Sequence, residues 1–250
     1  MEGLKPGIIR VPIAPIRAAA DDRAEMVTQA LFGEQVAWAP VPKSPNWVEV
    51  SIVEDGYRGF CDVKLIADGE DALAVFQADT RILTAPLTTL EWEGRPYHLP
   101  AGARVPASLL PAADAPSGQP VHMAHGLLGS PYLWGGKSVL GIDCSGLTQL
   151  SSALCGFKLP RDAAQQWALL KPQSIQFNQL GHGDLVFFHK SDPAQVTHVG
   201  FVWKPDGSPM RVLHASGEVR LDPLDPEGIM RDGRITHHWT GGAHWPVSAG

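Results

Sequence analysis

Residues 141–156 read Gly-Ile-Asp-Cys-Ser-Gly-Leu-Thr-Gln-Leu-Ser-Ser-Ala-Leu-Cys-Gly, and this stretch is where the chain changes character. Cys144, Leu147, Gln149-Leu150, Leu154 and Cys155 follow a 3.6-residue period, Asp143 has the chemistry of an N-cap, and Gly156 that of a helix stop. A helix beginning at Cys144 is therefore expected. In its first turn, free amides and the positive helix end favour a thiolate, and the same amides can hold the oxygen of a tetrahedral intermediate. Just upstream, Tyr132-Leu133-Trp134-Gly135-Gly136 supplies two glycines for a tight turn or a close backbone approach. The residues alone leave Cys144 between a small core hydrophobe and a nucleophile. Its Asp, Ser and Gly neighbours, in place of branched apolar ones, favour the nucleophile. Cys61 and Cys155 read as core hydrophobes.

Downstream, Asp162 to Leu170 reads as a second helix with Asp162 near its N-cap. Leu185–Phe188, Val199–Val202 and Met210–Leu213 read as strands. A thiol nucleophile needs a proton carrier, and two of the ten histidines are well placed to serve it. His198 enters one apolar strand and His214 ends the next. If the two strands form a hairpin around Pro205-Asp206-Gly207, one imidazole can take the thiol proton while the other orients it. The plainer alternative makes both partly buried, hydrogen-bonded histidines. His122, His125 and the pair His237-His238 are weaker candidates. The chain holds no HExxH, CxxC, GxGxxG or GxxxxGK[ST] pattern, so neither a metal, a nucleotide nor another cofactor is expected.

Working back toward the N-terminus, Val27 to about Leu65 consists of short alternating runs, among them Gln35–Trp38 and Trp47–Ile52. Turn signals at Pro45-Asn46 and Asp55-Gly56 separate them, and Tyr57–Phe60 begins the next strand. A small barrel is the expected result. A second such stretch covers about Ala72 to Ala107, with Ala74–Phe76, Arg81–Leu83 and Thr89–Trp92 as its strands. Pro111 to Pro120 reads as a hinge. The domains are accordingly drawn at 1–66, 67–115 and 116–250. The fold class is α+β, with a helical lobe before an antiparallel sheet and no βαβ alternation.

Composition bounds the function. The 250 residues carry 20 Lys and Arg against 26 Asp and Glu, a formal charge of −6, which gives no support for a nucleic-acid binder. Apolar residues make up 44%, enough for ordered cores, and no run of about 18 apolar residues suggests a membrane span. Three cysteines cannot all pair, and the first residues carry no basic flank followed by an apolar run; the expectation is a reducing, cytoplasmic setting.

Four phrases carry a resemblance: Tyr132 through Leu147, Leu159-Pro160-Arg161-Asp162 with Gln165-Gln166, Gly183 through Phe188, and Thr197-His198-Val199-Gly200. In this order, over about residues 120–215, they resemble the NlpC/P60 cell-wall cysteine peptidases. The resemblance implies a papain-like α+β catalytic domain preceded by two small all-β SH3-like barrels. It makes Cys144 the nucleophile, His198 the base and His214 the polar residue that orients the base. The interval from His198 to His214 is longer than the family pattern, and Lys204–Met210 can absorb the excess as a turn.

The upstream half is similar to the SH3-like domains of one branch, the gamma-D-glutamyl-L-diamino-acid endopeptidases. These cut murein peptides after L-Ala-gamma-D-Glu and require a free L-Ala amine, because a barrel walls off one end of the cleft. By that resemblance, Glu34, Tyr57, Asp143 and Ser145 bind the ammonium and Tyr132 borders the thiolate. Trp134 either walls the groove or packs beneath the helix. Arg161 and Asp162 are expected to staple the start of the second helix. The implied partners are murein peptides in which meso-diaminopimelate or L-Lys follows L-Ala-gamma-D-Glu, with a role in peptide recycling. The competing readings are a broader D,L-endopeptidase on intact wall, a wall-peptide binding protein, and an acyltransferase using the same residues.

Overall fold

The computed structural model describes residues 4–77, 79–110 and 118–246. The chain divides into two compact units. One comprises residues 1–115 together with Trp134–Val139, and the other residues 116–133 together with 140–250. The first unit thus takes in both stretches drawn as separate barrels, and it captures a segment that chain order alone assigns to the last domain. Of the expected hinge, residues 111–117 lie outside the described residues.

In the first unit, seven strands form one antiparallel sheet: β1 (Lys5–Ile9), β2 (Ile13–Arg17), β3 (Met26–Leu31), β4 (Gln35–Val41), β5 (Ser44–Ile52), β6 (Arg58–Asp62) and β7 (Ile66–Ala67). Alternation places Val36 and Trp38 of β4 and Val48, Val50 and Ile52 of β5 in one core with Ile16, Ala30 and Cys61. The reversal before β5 falls at Pro42-Lys43, with Lys43 at φ 67°, rather than at the expected Pro45-Asn46, which lies inside β5.

Next come helix α1 (Glu70–Gln77) and strands β8 (Thr80–Ile82), β9 (Leu87–Trp92), β10 (Arg95–Pro100) and β11 (Arg104–Pro106). β9 pairs with β10, and β8 with β11. Ala74–Phe76, expected as a strand, is helical. Leu73 and Phe76, three apart, face a second core of Phe32, Tyr97, Leu99 and Val105, whereas Val75 is exposed, so the working period is that of a helix. Acidic Glu70 and Asp71 occupy the first turn, where the helix dipole favours them.

The second unit is α+β. Helix α2 (Pro120–His125) precedes strands β12 (Lys137–Ser138) and β13 (Gly141–Ile142) in the chain, β12 belonging to the captured segment. Helices α3 (Cys144–Leu154) and α4 (Ala163–Leu170) follow, then β14 (Ser174–Ile175), β15 (Leu185–His189), β16 (His198–Trp203), β17 (Arg211–Ser216), β18 (Glu218–Asp225), β19 (Gly228–Arg231) and β20 (Arg234–Ala243). The sheet order is β14-β20-β15-β16-β17-β18-β19, and an additional β19–β20 pairing closes β15 to β20 on themselves. Val186, Phe188, Val202, Val212, Leu224 and Ile229 form the core of this sheet. Helix α3 packs against β16 and β17. Among the described residues, no helix is long and apolar enough to cross a membrane.

Candidate active site

Helix α3 starts at Cys144 because Asp143 caps it. The Asp143 backbone is extended, and its Oδ1 accepts the Gly146 N–H at 2.7 Å. Arg161 grips the same carboxylate through two bonds, NH2 to Oδ2 at 2.6 Å and NH1 to Oδ1 at 3.0 Å. Its NH1 also reaches Ser145 Oγ at 3.0 Å. Arg161 is fully buried, so its charge is tolerable only because this planar fork is satisfied. This corrects the expectation that Arg161 staples the second helix: it clamps the cap of the first. Asp162 does the stapling, in a capping box with Gln165 at the start of α4. Gln166 ties the two helices together, donating to Ser145 O at 3.1 Å and Pro160 O at 2.9 Å and accepting from Thr148 Oγ1.

The Cys144 side chain is buried, with 7% of the residue exposed. Burial pushes its thiol up to about 12, and the Asp143 carboxylate adds to the rise; backbone hydrogen bonds from Val199 and Ser145 and the Arg161 charge pull the other way without prevailing. Burial therefore opposes the thiolate that the helix start is expected to favour. Desolvation and the capping carboxylate outweigh the helix-start amides. Tyr132, half-buried beside it, has its phenol likewise pushed up to about 12, first by burial and then by the charges of Cys144 and Asp143.

The histidines stand on the neighbouring strands. β16 and β17 pair antiparallel with Phe201 opposite Leu213 and Val202 opposite Val212, which puts His198 diagonal to His214. The two rings meet at 2.7 Å, His198 Nε2 to His214 Nδ1. Gly200 makes room for the pair: a Cβ there would stand 3.0 Å from His214 Cβ and 2.6 Å from Val212 Cγ2. Val199, which hydrogen-bonds toward the Cys144 sulfur, is the residue next to His198.

Two further groups surround the pair. His214 Nε2 lies 3.1 Å from Asp222 Oδ2, and Asp222 Oδ1 accepts from Arg220 Nε at 3.0 Å. The His237 ring stacks on His198 with centroids 4.2 Å apart and 23° between planes. Burial lowers the affinity of all three imidazoles for a proton: His198 well below its ordinary value, His214 below it despite Asp222, and His237 to about 4. Burial opposes ionisation of Asp222, but the bonds and charges of His214 and Arg220 together hold its carboxyl below the ordinary range. Burial thus favours the thiol form of Cys144 and the neutral forms of the three imidazoles.

Sequence reasoning missed Asp222, and set His237 aside because neighbouring histidines on a strand point opposite ways. Asp222 is recoverable from register. The hairpin of β17 and β18 turns at Gly217, with Val212 opposite Asp222 and His214 opposite Arg220, so Asp222 is diagonal to His214.

The remaining expected site residues lie in the first unit. Glu34 is buried; its Oε2 accepts the Leu31 N–H at 2.8 Å and its Oε1 the Lys137 ammonium at 2.7 Å. Lys137 belongs to the captured segment, whose seating is visible residue by residue. Its N–H donates to Gln29 Oε1 at 2.8 Å, and Gly135, at φ 74°, lies so close to the Met26 carbonyl that a Cβ would come within 2.3 Å of the oxygen. Trp134 is 61% exposed, with its indole N–H on Glu25 Oε1 at 2.6 Å, and so is not a ring packed beneath a helix. Tyr57 is half-buried against the core of the seven-stranded sheet.

Residues 129–232 match the NlpC/P60 family, and residues 16–64 match the bacterial dipeptidyl-peptidase Sh3 domain. Among curated relatives, a gamma-D-glutamyl-L-lysine dipeptidyl-peptidase of Bacillus cereus is 25% identical over 83% of this chain and 73% of its own length. A gamma-DL-glutamyl hydrolase of Bacillus subtilis is 33% identical over 56% of this chain, and the murein DD-endopeptidase MepH of Escherichia coli 32% over 40%. The chain matches only 32% and 37% of the length of those two relatives. A crystal structure of an NlpC/P60 family protein from Bacillus cereus superposes with a TM-score of 0.76 at 20% identity, covering 96% of this chain and 99% of that one. Residues 129–232 thus carry an NlpC/P60 domain and residues 16–64 a bacterial SH3 domain, and the expected fold class holds.

Proposed function

We propose that this NlpC/P60 protein is a cysteine peptidase that cleaves the bond after gamma-D-Glu in murein peptides beginning with a free L-Ala, releasing L-Ala-gamma-D-Glu. The observation that carries the reading is the meeting of two elements. Helix α3 begins at Cys144, whose sulfur is hydrogen-bonded from Val199, and the adjacent residue His198 opens the His198–His214–Asp222 chain. The name of the Bacillus cereus relative and the kind of SH3 domain matched support the bond and the free amine as the points of recognition.

In this mechanism a neutral His198 takes the proton of Cys144 as the sulfur attacks the gamma-carbonyl of D-Glu. Burial disfavours the charged form of each partner, so in this reading ion-pair formation is coupled to attack. The Cys144 amide donates to the oxyanion, the imidazolium protonates the departing amine, and water then frees the thioester. Glu34, Tyr57, Asp143 and Ser145 receive the L-Ala ammonium, Tyr132 borders the sulfur, and Trp134 walls the groove. A cytoplasmic role in peptide recycling belongs to the same reading, and cell fractionation tests it.

One observation favours the broader D,L-endopeptidase as a second reading. Both carboxylates assigned to the ammonium already hold an internal cation, Glu34 with Lys137 and Asp143 with Arg161. The test is a substrate pair, L-Ala-gamma-D-Glu-L-Lys with its amine free or acetylated. The dipeptidyl-peptidase reading expects at least about a tenfold preference for the free amine, the worth of one charge-assisted hydrogen bond. Equal cleavage selects the endopeptidase.

A further inference from the structure

We propose that Asp222 sets the direction of the protons along the histidine chain, acting through His214 to leave His198 with a bare Nδ1. Asp222 is a positioning residue, and the inference rests on His198 being the base of the proposed reaction. Asp222 is 4% exposed, its Oδ1 is taken by Arg220 Nε and NH2, both at 3.0 Å, and its Oδ2 faces His214 Nε2 at 3.1 Å. An ionised carboxylate accepts only, so His214 must carry its proton on Nε2. A neutral His214 then has a lone pair on Nδ1, and the 2.7 Å contact with His198 Nε2 requires the proton to lie on His198. His198, neutral and protonated at Nε2, is left with a lone pair at Nδ1, the one atom of the chain able to accept the thiol proton.

The surroundings keep this order. His198 is faced by His214, by the stacked His237 ring and by the charge of Lys190. His214 is faced by Asp222 and by the charges of Arg220 and Arg231. Of these groups only Asp222 is an acceptor that cannot reverse its role, so it alone orients the chain. Arg220 orients Asp222 in turn, and this yields a signature that simple loss of packing would not produce. In Asp222→Asn the side-chain oxygen must stay on Arg220, which turns the amide NH2 toward His214. His214 Nε2 then becomes an acceptor, Nδ1 gains the proton, and His198 is forced to accept at Nε2 and carry its own proton at Nδ1. Removing Arg220 lets the asparagine flip and present its oxygen to His214 again.

The experiment has two arms. Nitrogen-15 NMR of the histidine-labelled wild-type protein at pH 7.5 is expected to show His198 and His214 both protonated at Nε2 and bare at Nδ1. A wild-type His198 protonated at Nδ1 overturns the proposal even if no variant folds. For hydrolysis of the free-amine tripeptide, D222N is expected to lower kcat by about a hundred- to ten-thousand-fold with little change in KM, as an inverted histidine tautomer does elsewhere. The double variant D222N/R220A is expected to regain at least about a tenfold share of that loss. Activity of D222N within about threefold of wild type, or a double variant no better than D222N, overturns the proposal. Loss of the nucleophile reading would appear differently, as full activity in Cys144→Ala with the NMR result unchanged.

Discussion

Each unit carries one buried carboxylate–cation pair at a position assigned to substrate, and the two are built differently. In the second unit, Arg161 holds both oxygens of Asp143 and also Ser145 Oγ, while Asp143 caps the nucleophile helix. In the first unit, Lys137 meets one oxygen of Glu34 as a single point charge, and a backbone amide meets the other. A guanidinium fork is pre-organised and has little freedom to yield, whereas an ammonium on a four-carbon stem can swing away. The contrast separates two uses of the same chemistry. Asp143 is committed to holding the helix start, whereas Glu34 is held by one ammonium and one backbone amide. In the proposed reading, recognition of the L-Ala ammonium therefore rests more on Glu34 than on Asp143.

The largest effect expected from breaking this contrast is at the clamp. Arg161→Ala takes the guanidinium away from the buried Asp143 carboxylate and should destabilise the protein by about 3–5 kcal/mol in denaturant unfolding. Arg161→Lys should recover only part of that, because one ammonium cannot serve two oxygens and a hydroxyl. A full recovery by lysine would show that the fork geometry is irrelevant.

Acid should separate the two units next. His198, His214 and His237 are buried in the second, and the histidine of the first, His98, is exposed. The folded-state affinity of each buried ring lies below that of the unfolded chain, near 6.5, so the unfolded chain binds the proton first. Their stabilising contribution is whole above about pH 6.5 and is lost as the pH falls toward about 4, on the order of a few kcal/mol. Hydrogen exchange should show protection falling in β15 to β20 before β1 to β7; the reverse order would contradict this account.

The subtlest test concerns Glu34. Removing both partners of its ion pair in Glu34→Gln/Lys137→Met should change stability by only about 1 kcal/mol, since no charge is stranded. The same double variant should lose most of its preference for free over acetylated L-Ala, about 1.5–3 kcal/mol in kcat/KM. An unchanged preference would make the pair purely structural.

What could be read in the sequence was local. The cap at Asp143, the stop at Gly156 and the period between them depend on residues within a few positions, and helix α3 follows from them. The meeting of His198 and His214 followed from one turn and strand alternation. The unread parts depend on distance or on solvent. Arg161 reaches across 18 positions to Asp143, and Lys137 across 103 to Glu34, so neither partner is implied by its neighbours. Residues 74–76 alternate well enough for a strand, yet Leu73 and Phe76 face the core together only in a helix. The opposition between burial and the helix start at Cys144 is hidden from the sequence for a related reason. The helix start is visible in the sequence, but the depth of burial that outweighs it is not.

The central claim is that Cys144 forms the acyl intermediate, and one comparison tests it most directly. Purified wild-type protein and its Cys144→Ala variant are incubated with L-Ala-gamma-D-Glu-L-Lys, and the release of L-Ala-gamma-D-Glu is followed by chromatography. Product from the wild type and none from a folded C144A is the predicted result. Release of the dipeptide by C144A at the wild-type rate would contradict the account.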